Sequence, residues 1–97
     1  MATYVALVNF TDQGMRQIKQ TTERAKSLVN AAANLGVQVK EIYWTMGSYD
    51  ALVIADAPND ETVTSFTLSM GSLGNIRTQT MRAYGAEEMS RILARVP

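Results

Sequence analysis

With no His and no Cys in the chain, the commonest general base and the thiolate nucleophile are both missing. Any acid–base or nucleophilic step therefore falls to Asp, Glu, Tyr, Lys, Arg, Ser or Thr. The same absence removes the usual zinc ligands and any disulfide framework; no metal and no cofactor are expected. One stretch, Tyr43-Trp44-Thr45-Met46-Gly47-Ser48-Tyr49-Asp50, concentrates the groups that remain. Asp50 could act there as a general base if burial raised its pKa, with Tyr49 or Arg77 stabilising an enolate or oxyanion. The same region could instead hold a ligand. Trp44 or Tyr49 would then stack on it, Asn9 and Asn75 would offer polar contacts, and Arg16, Lys19 and Arg77 would form a cationic rim favouring a carboxylate or phosphate. Against both stands a structural role. Asp50 would then bond backbone amides at a hairpin or pair with Arg16, Lys19 or Arg77, and Tyr43, Trp44 and Tyr49 would pack at a sheet edge or interface.

These residues meet only if the elements around them fold in one particular way. Residues 3–10, rich in β-branched and aromatic types, predict a first strand that ends at the capping pair Thr11-Asp12. A short helical piece over 13–19 follows, and Thr21-Thr22-Glu23 predicts a fresh helix with a hydroxyl cap. Ala25, Leu28, Val29, Ala32 and Leu35 recur along it at helical spacing, and Gly36 ends it. Residues 37–45 and 49–57 predict two strands joined by a two-residue type II′ turn at Gly47-Ser48. After Pro58, Asn59 caps a helix whose buried stripe is Val63, Phe66, Met70 and Leu73 and whose end is Gly74. Residues 75–84 alternate as a fourth strand, and 86–96 carry a terminal helix with Met89, Ile92, Leu93 and Val96 on one side. Gly71 and Gly74 suit a turn better than a phosphate loop, and the methionines suit gap filling better than metal ligation.

The resulting order, βαββαβ plus a C-terminal extra helix, is the α+β, ferredoxin-like arrangement: an antiparallel four-stranded sheet with helices on one face. In it the end of the first strand lies beside the start of the third and of the fourth, so Asn9, Trp44, Tyr49, Asp50, Asn75 and Arg77 gather at one end, with Arg16 and Lys19 above them. A sheet covered on one face should alternate apolar with polar. Here Val5 and Leu7 oppose Ala6, Val8 and Phe10, and Leu52 and Ile54 oppose Ala51 and Val53. Both faces demand burial, which predicts a second copy on the open face and a dimeric α/β barrel or related oligomer. The alternative is a monomer with an unusually apolar face. Arg82 and Tyr84 are placed for a second polar cluster or for that subunit contact.

At 97 residues the chain forms one domain with one core. Nine basic residues balance nine acidic ones, which gives no clustered positive charge for nucleic acid or an anionic membrane. The first ten residues lack the pattern of a signal peptide and no apolar run is long enough to span a bilayer, so a cytoplasmic protein is expected.

Three segments, 10–25, 39–50 and 71–83, resemble the GYD domain family. They include Phe10-Thr11-Asp12-Gln13-Gly14, Val39-Lys40-Glu41-Ile42-Tyr43-Trp44-Thr45-Met46-Gly47-Ser48-Tyr49-Asp50 and Gly71-Ser72-Leu73-Gly74-Asn75-Ile76-Arg77. The family's signature stands here as Gly47, Tyr49 and Asp50 with Ser48 inserted, and Thr22 occupies a place where a helix-starting proline is expected. The resemblance implies a small ferredoxin-like domain of the dimeric α/β barrel kind, and it names a fold without naming a reaction. Three functions follow from the sequence. The first is a homo-oligomeric domain binding a small anionic or aromatic molecule at the hairpin end of the sheet. The second is a metal-independent enzyme of the cofactor-less oxygenase or isomerase type using Asp50, and the third is a structural or regulatory assembly module.

Overall fold

The computed structural model describes residues 1–97. Its elements are β1 (Ala2–Phe10), α1 (Asp12–Arg16), a single 3-10 turn (Ile18–Gln20), α2 (Thr21–Asn34), β2 (Gln38–Trp44), β3 (Ala51–Ala57), α3 (Asp60–Gly71), β4 (Ile76–Ala83) and α4 (Ala86–Leu93). The strands form one antiparallel sheet in the order β2-β3-β1-β4, the expected α+β, ferredoxin-like arrangement. No helix is long and apolar enough to cross a membrane.

Local chemistry sets most of the boundaries. Thr11 caps α1, its Oγ1 accepting from the Gly14 N–H at 3.1 Å, and Asn59 caps α3 by accepting from the Thr62 N–H at 2.9 Å. α2 ends in a Schellman motif: Gly36 takes φ +83°, its N–H donates to Ala33 O at 3.1 Å, and the Val37 N–H reaches Ala32 O at 2.9 Å. Val37 and Ala32 are thereby drawn into the core with Tyr4, Ala55, Ala57, Val63 and Phe66. A smaller cluster, Val8, Ala51 and Val53, lies towards the hairpin end.

The structure departs from the sequence reading at several ends. The first helical piece is split into α1 and the 3-10 turn, because the Gln17 N–H turns back to Gly14 O. α2 starts with no side-chain cap, since the Thr21 hydroxyl, expected to supply it, is the first helical residue and accepts from Trp44 instead. α3 stops at Gly71 rather than Gly74, so Leu73 falls in the following turn and is 63% exposed instead of joining the buried stripe. Val29 on α2 and Leu35 just past its end are likewise exposed, and α4 ends at Leu93, short of Val96. The largest difference is in the hairpin. β2 and β3 are joined by six residues, 45–50, in place of a two-residue turn. The Thr45 N–H closes that loop on Asp50 O at 2.9 Å, and Gly47, at φ +101°, provides the reversal.

Only 11 residues are buried, and the radius of gyration is 14.6 Å against about 12.5 Å for a compact chain of this length. The single chain is therefore extended relative to its mass. Two apolar surfaces are left uncovered on it. On the sheet face away from the helices, Val5, Leu7, Leu52 and Ile54 form a patch in which Val5 pairs with Ile54 and Leu7 with Leu52. On α4, Met89, Ile92 and Leu93 are exposed, with Tyr84 and Val96 beside them.

Candidate functional site

Asp50 sits where β1, the hairpin loop and β3 meet, and the backbone fixes it twice. Its N–H donates to Val8 O at 2.8 Å, and its Oδ2 accepts from the Phe10 N–H at 2.8 Å. The carboxylate thus takes the place of a strand carbonyl one step beyond the last β1–β3 pair, Val8 with Ala51, and holds the end of β1 to the start of β3. It makes no ion pair with Arg16, Lys19 or Arg77. Of the two structural roles read from the sequence, the geometry takes the amide-bonding one. Asp50→Ala leaves the Phe10 donor without its partner and is expected to cost about 1–3 kcal/mol. Asp50→Asn keeps an acceptor oxygen and should cost less, an ordering that urea denaturation of the two variants can check.

The remaining residues separate instead of converging on one pocket. Asn9 and Arg77 are register partners and lie on the open sheet face, as strand alternation from Val5 and Leu7 requires. The Tyr49 hydroxyl donates to Gln79 Oε1 at 3.0 Å, which lays its ring over the edge of that face. Arg16, the last residue of α1, and Lys19, within the 3-10 turn, are exposed. Trp44 and Asn75 alone belong to the helix side. The Trp44 Nε1–H donates to Thr21 Oγ1 at 3.0 Å, and Asn75 Oδ1 accepts from Gln13 Nε2 at 2.9 Å.

These two border a cavity of about 250 Å³ between α2 and the sheet. Twelve of its sixteen lining residues are hydrophobic, with Val8, Phe10, Ile42, Leu28 and Met70 among them. Ala25, Ala31 and Ala51 supply only methyl groups where longer side chains would close the space. The polar residues are Thr21, Arg24, Ser27 and Asn75. Arg24 is not among the site residues that the sequence singles out, because on a helical wheel it is one more exposed cation. The signal that could have found it is its place one turn after Thr21 and one turn before Leu28.

A second polar cluster lies at the far end of β1 and β4. The Tyr4 hydroxyl donates to Asp60 Oδ1 at 2.5 Å, and this bond to a carboxylate, with burial, raises the phenol above its usual value. The Arg82 guanidinium lies 4.6 Å from the centroid of the Tyr84 ring and 5.7 Å from that of Tyr4, donates to Thr3 O at 3.1 Å and pairs with Glu88 at 2.7 Å. The Arg82 hydrogen bond holds the Glu88 carboxyl below its usual 4.5. A depressed carboxylate contributes stability above its unfolded value that is lost as pH falls through the folded one. The seating of α4 should therefore loosen below about pH 4.5, and Glu88→Gln should loosen it at neutral pH. Faster amide exchange in 86–93 with unchanged exchange in the sheet is the expected pattern.

The family model of the GYD domain matches residues 4–93. The glutamine synthetase and cystathionine β-lyase binding protein of Thermus thermophilus is 30% identical over 84 residues, covering 86% of this chain and 88% of that protein. Among solved structures, FFRP-DM1 aligns with a TM-score of 0.63 at 22% identity over 87% of this chain and 100% of that one, a likeness of fold alone. A crystal structure of a Thermus thermophilus protein aligns with a TM-score of 0.58 at 26% identity, over 89% of this chain and 96% of that one.

Proposed function

The chain belongs to the GYD domain family, and we propose that it is a self-assembling, protein-binding module of the cytoplasm that docks on enzymes without turning over a substrate itself. The observation that carries the reading is the pair of uncovered apolar surfaces, the Val5, Leu7, Leu52 and Ile54 patch and the exposed side of α4. Apolar patches of this kind on small domains mark association sites. The open sheet face suits a second copy in a two-fold, isologous contact, and α4 with Tyr84 suits the partner enzyme, as an amphipathic helix laid into a groove. A relative named for binding glutamine synthetase and cystathionine β-lyase supports this choice of partner. Asp50, Tyr49, Asn9 and Arg77 serve in this reading to shape the sheet end and the rim of the subunit contact.

The test is to mix the protein with glutamine synthetase and with cystathionine β-lyase from its own organism and follow sedimentation. Co-sedimentation at micromolar concentration, lost in Ile92→Asp and kept in Asp50→Asn, is expected. No complex with either enzyme, together with loss of a catalytic turnover in Asp50→Asn, would overturn it in favour of the general-base reading.

A second reading, small-molecule binding at the hairpin end of the sheet, is favoured by one observation: the apolar cavity bordered by Trp44 and Asn75. It lies on the helix side of that end, so Trp44 and Asn75 would contact the ligand directly, whereas Arg16 and Lys19 would act only as nearby surface cations.

A further inference from the structure

Resting on the second reading, we infer that the cavity between α2 and the sheet binds a small apolar monocarboxylate, its hydrocarbon body against Trp44, Phe10 and Leu28 and its carboxylate at Arg24. Arg24 is the only charged residue that lines the cavity. It has no carboxylate partner, since the three ion pairs of the domain are Lys26 with Glu23, Lys40 with Asp56 and Arg82 with Glu88. Its guanidinium is engaged through one nitrogen, by the Gln17 side chain, so donors remain.

The neighbouring polar groups at the rim point to the same kind of ligand. Thr21 Oγ1 already accepts from Trp44, which leaves its own hydrogen to donate. Asn75 has its carbonyl oxygen taken by Gln13, which leaves its amide hydrogens. A guanidinium, a hydroxyl donor and an amide donor with no acidic residue among them select an anionic acceptor. One cation at the edge of an apolar space balances one negative charge, and a dianionic phosphate would be desolvated with half its charge uncompensated. The body is set by volume. An apolar cavity of about 150 Å³ accommodates benzene, so 250 Å³ accommodates a ring carrying a short chain, or a medium-length acyl chain.

Titration calorimetry with 4-phenylbutyrate and octanoate, each beside its primary amide, tests this on the intact protein. The acids should bind about tenfold or more tightly than the amides. Arg24→Gln should remove that preference, and Ala25→Trp should abolish binding of all four, with Ala31→Phe as a second cavity-filling variant if the first does not fold. Acids and amides binding alike would overturn the carboxylate assignment and leave the cavity as a ligand site. No binding by any of the four, or binding that survives both filled variants, would overturn the cavity reading along with it.

Discussion

Leu52→Asp is expected to break the proposed assembly through the open sheet face and leave a folded monomer. Leu52 pairs with Leu7 on one side and Tyr43 on the other, on the sheet face that carries no helix. Within one chain it is only half-buried, so an aspartate there meets water and the fold survives. In a two-fold assembly through this face each substitution counts twice. The contact loses about 1.5–3 kcal/mol for each buried leucine and gains two carboxylates in an apolar seam, each costly to desolvate. A weakening of about three orders of magnitude or more follows. Sedimentation velocity at micromolar concentration should show a species of twice the chain mass or larger for the unmodified protein and a single-chain species for the variant, with matching far-ultraviolet circular dichroism. A monomeric unmodified protein would remove the basis of the assembly proposal, and an unshifted variant would place the contact elsewhere.

Gly14→Ala should destabilise the domain despite placing a better helix former in α1. In a helix, alanine ordinarily improves on glycine by about 1 kcal/mol, so local propensity predicts a gain. The tertiary neighbour reverses the sign. A Cβ at Gly14 would lie 2.1 Å from the carbonyl oxygen of Asn75, and that oxygen cannot move cheaply, because it accepts the Thr11 N–H at 3.1 Å. Thr11 Oγ1 also donates to Gly74 O at 2.5 Å, which fixes the same backbone from the other side. Relieving the overlap means shifting α1 away from the start of β4, at a net cost of about 2 kcal/mol or more. For a domain of this size that corresponds to a fall in Tm of about 10 °C, readable by calorimetry. A rise in Tm would mean that α1 is free to move.

The sequence by itself determined the order of strands and helices, the Asn59 and Thr11 caps, the Gly36 terminus and the presence of apolar residues on both sides of the sheet. All of these depend on side-chain type and on spacing within a few residues, so each is written locally. It also limited the available chemistry, since a chain without His or Cys carries that limit in any fold. What only the tertiary structure decided comes from pairing between distant segments. The hairpin loop runs to six residues because the Asp50 N–H and carboxylate are taken by Val8 and Phe10, some forty residues away, and local turn propensity cannot register that competition. A bulge between Val39 and Glu41 re-phases β2. Val39 can then pack on the core while Ile42 and Trp44 also face the helices, leaving Tyr43 to the open face. Alternation read straight through the strand would have grouped Val39 with Tyr43. Arg24 acquires its meaning the same way: on the helix it is a surface cation, and only the placement of α2 over the sheet, with Met70 at the end of α3 and Leu73 just past it alongside, encloses the apolar space next to it. The candidate residues were legible as types near one end of the sheet. Which side of the sheet each one serves was settled by register, a property of pairs of strands that no single stretch contains.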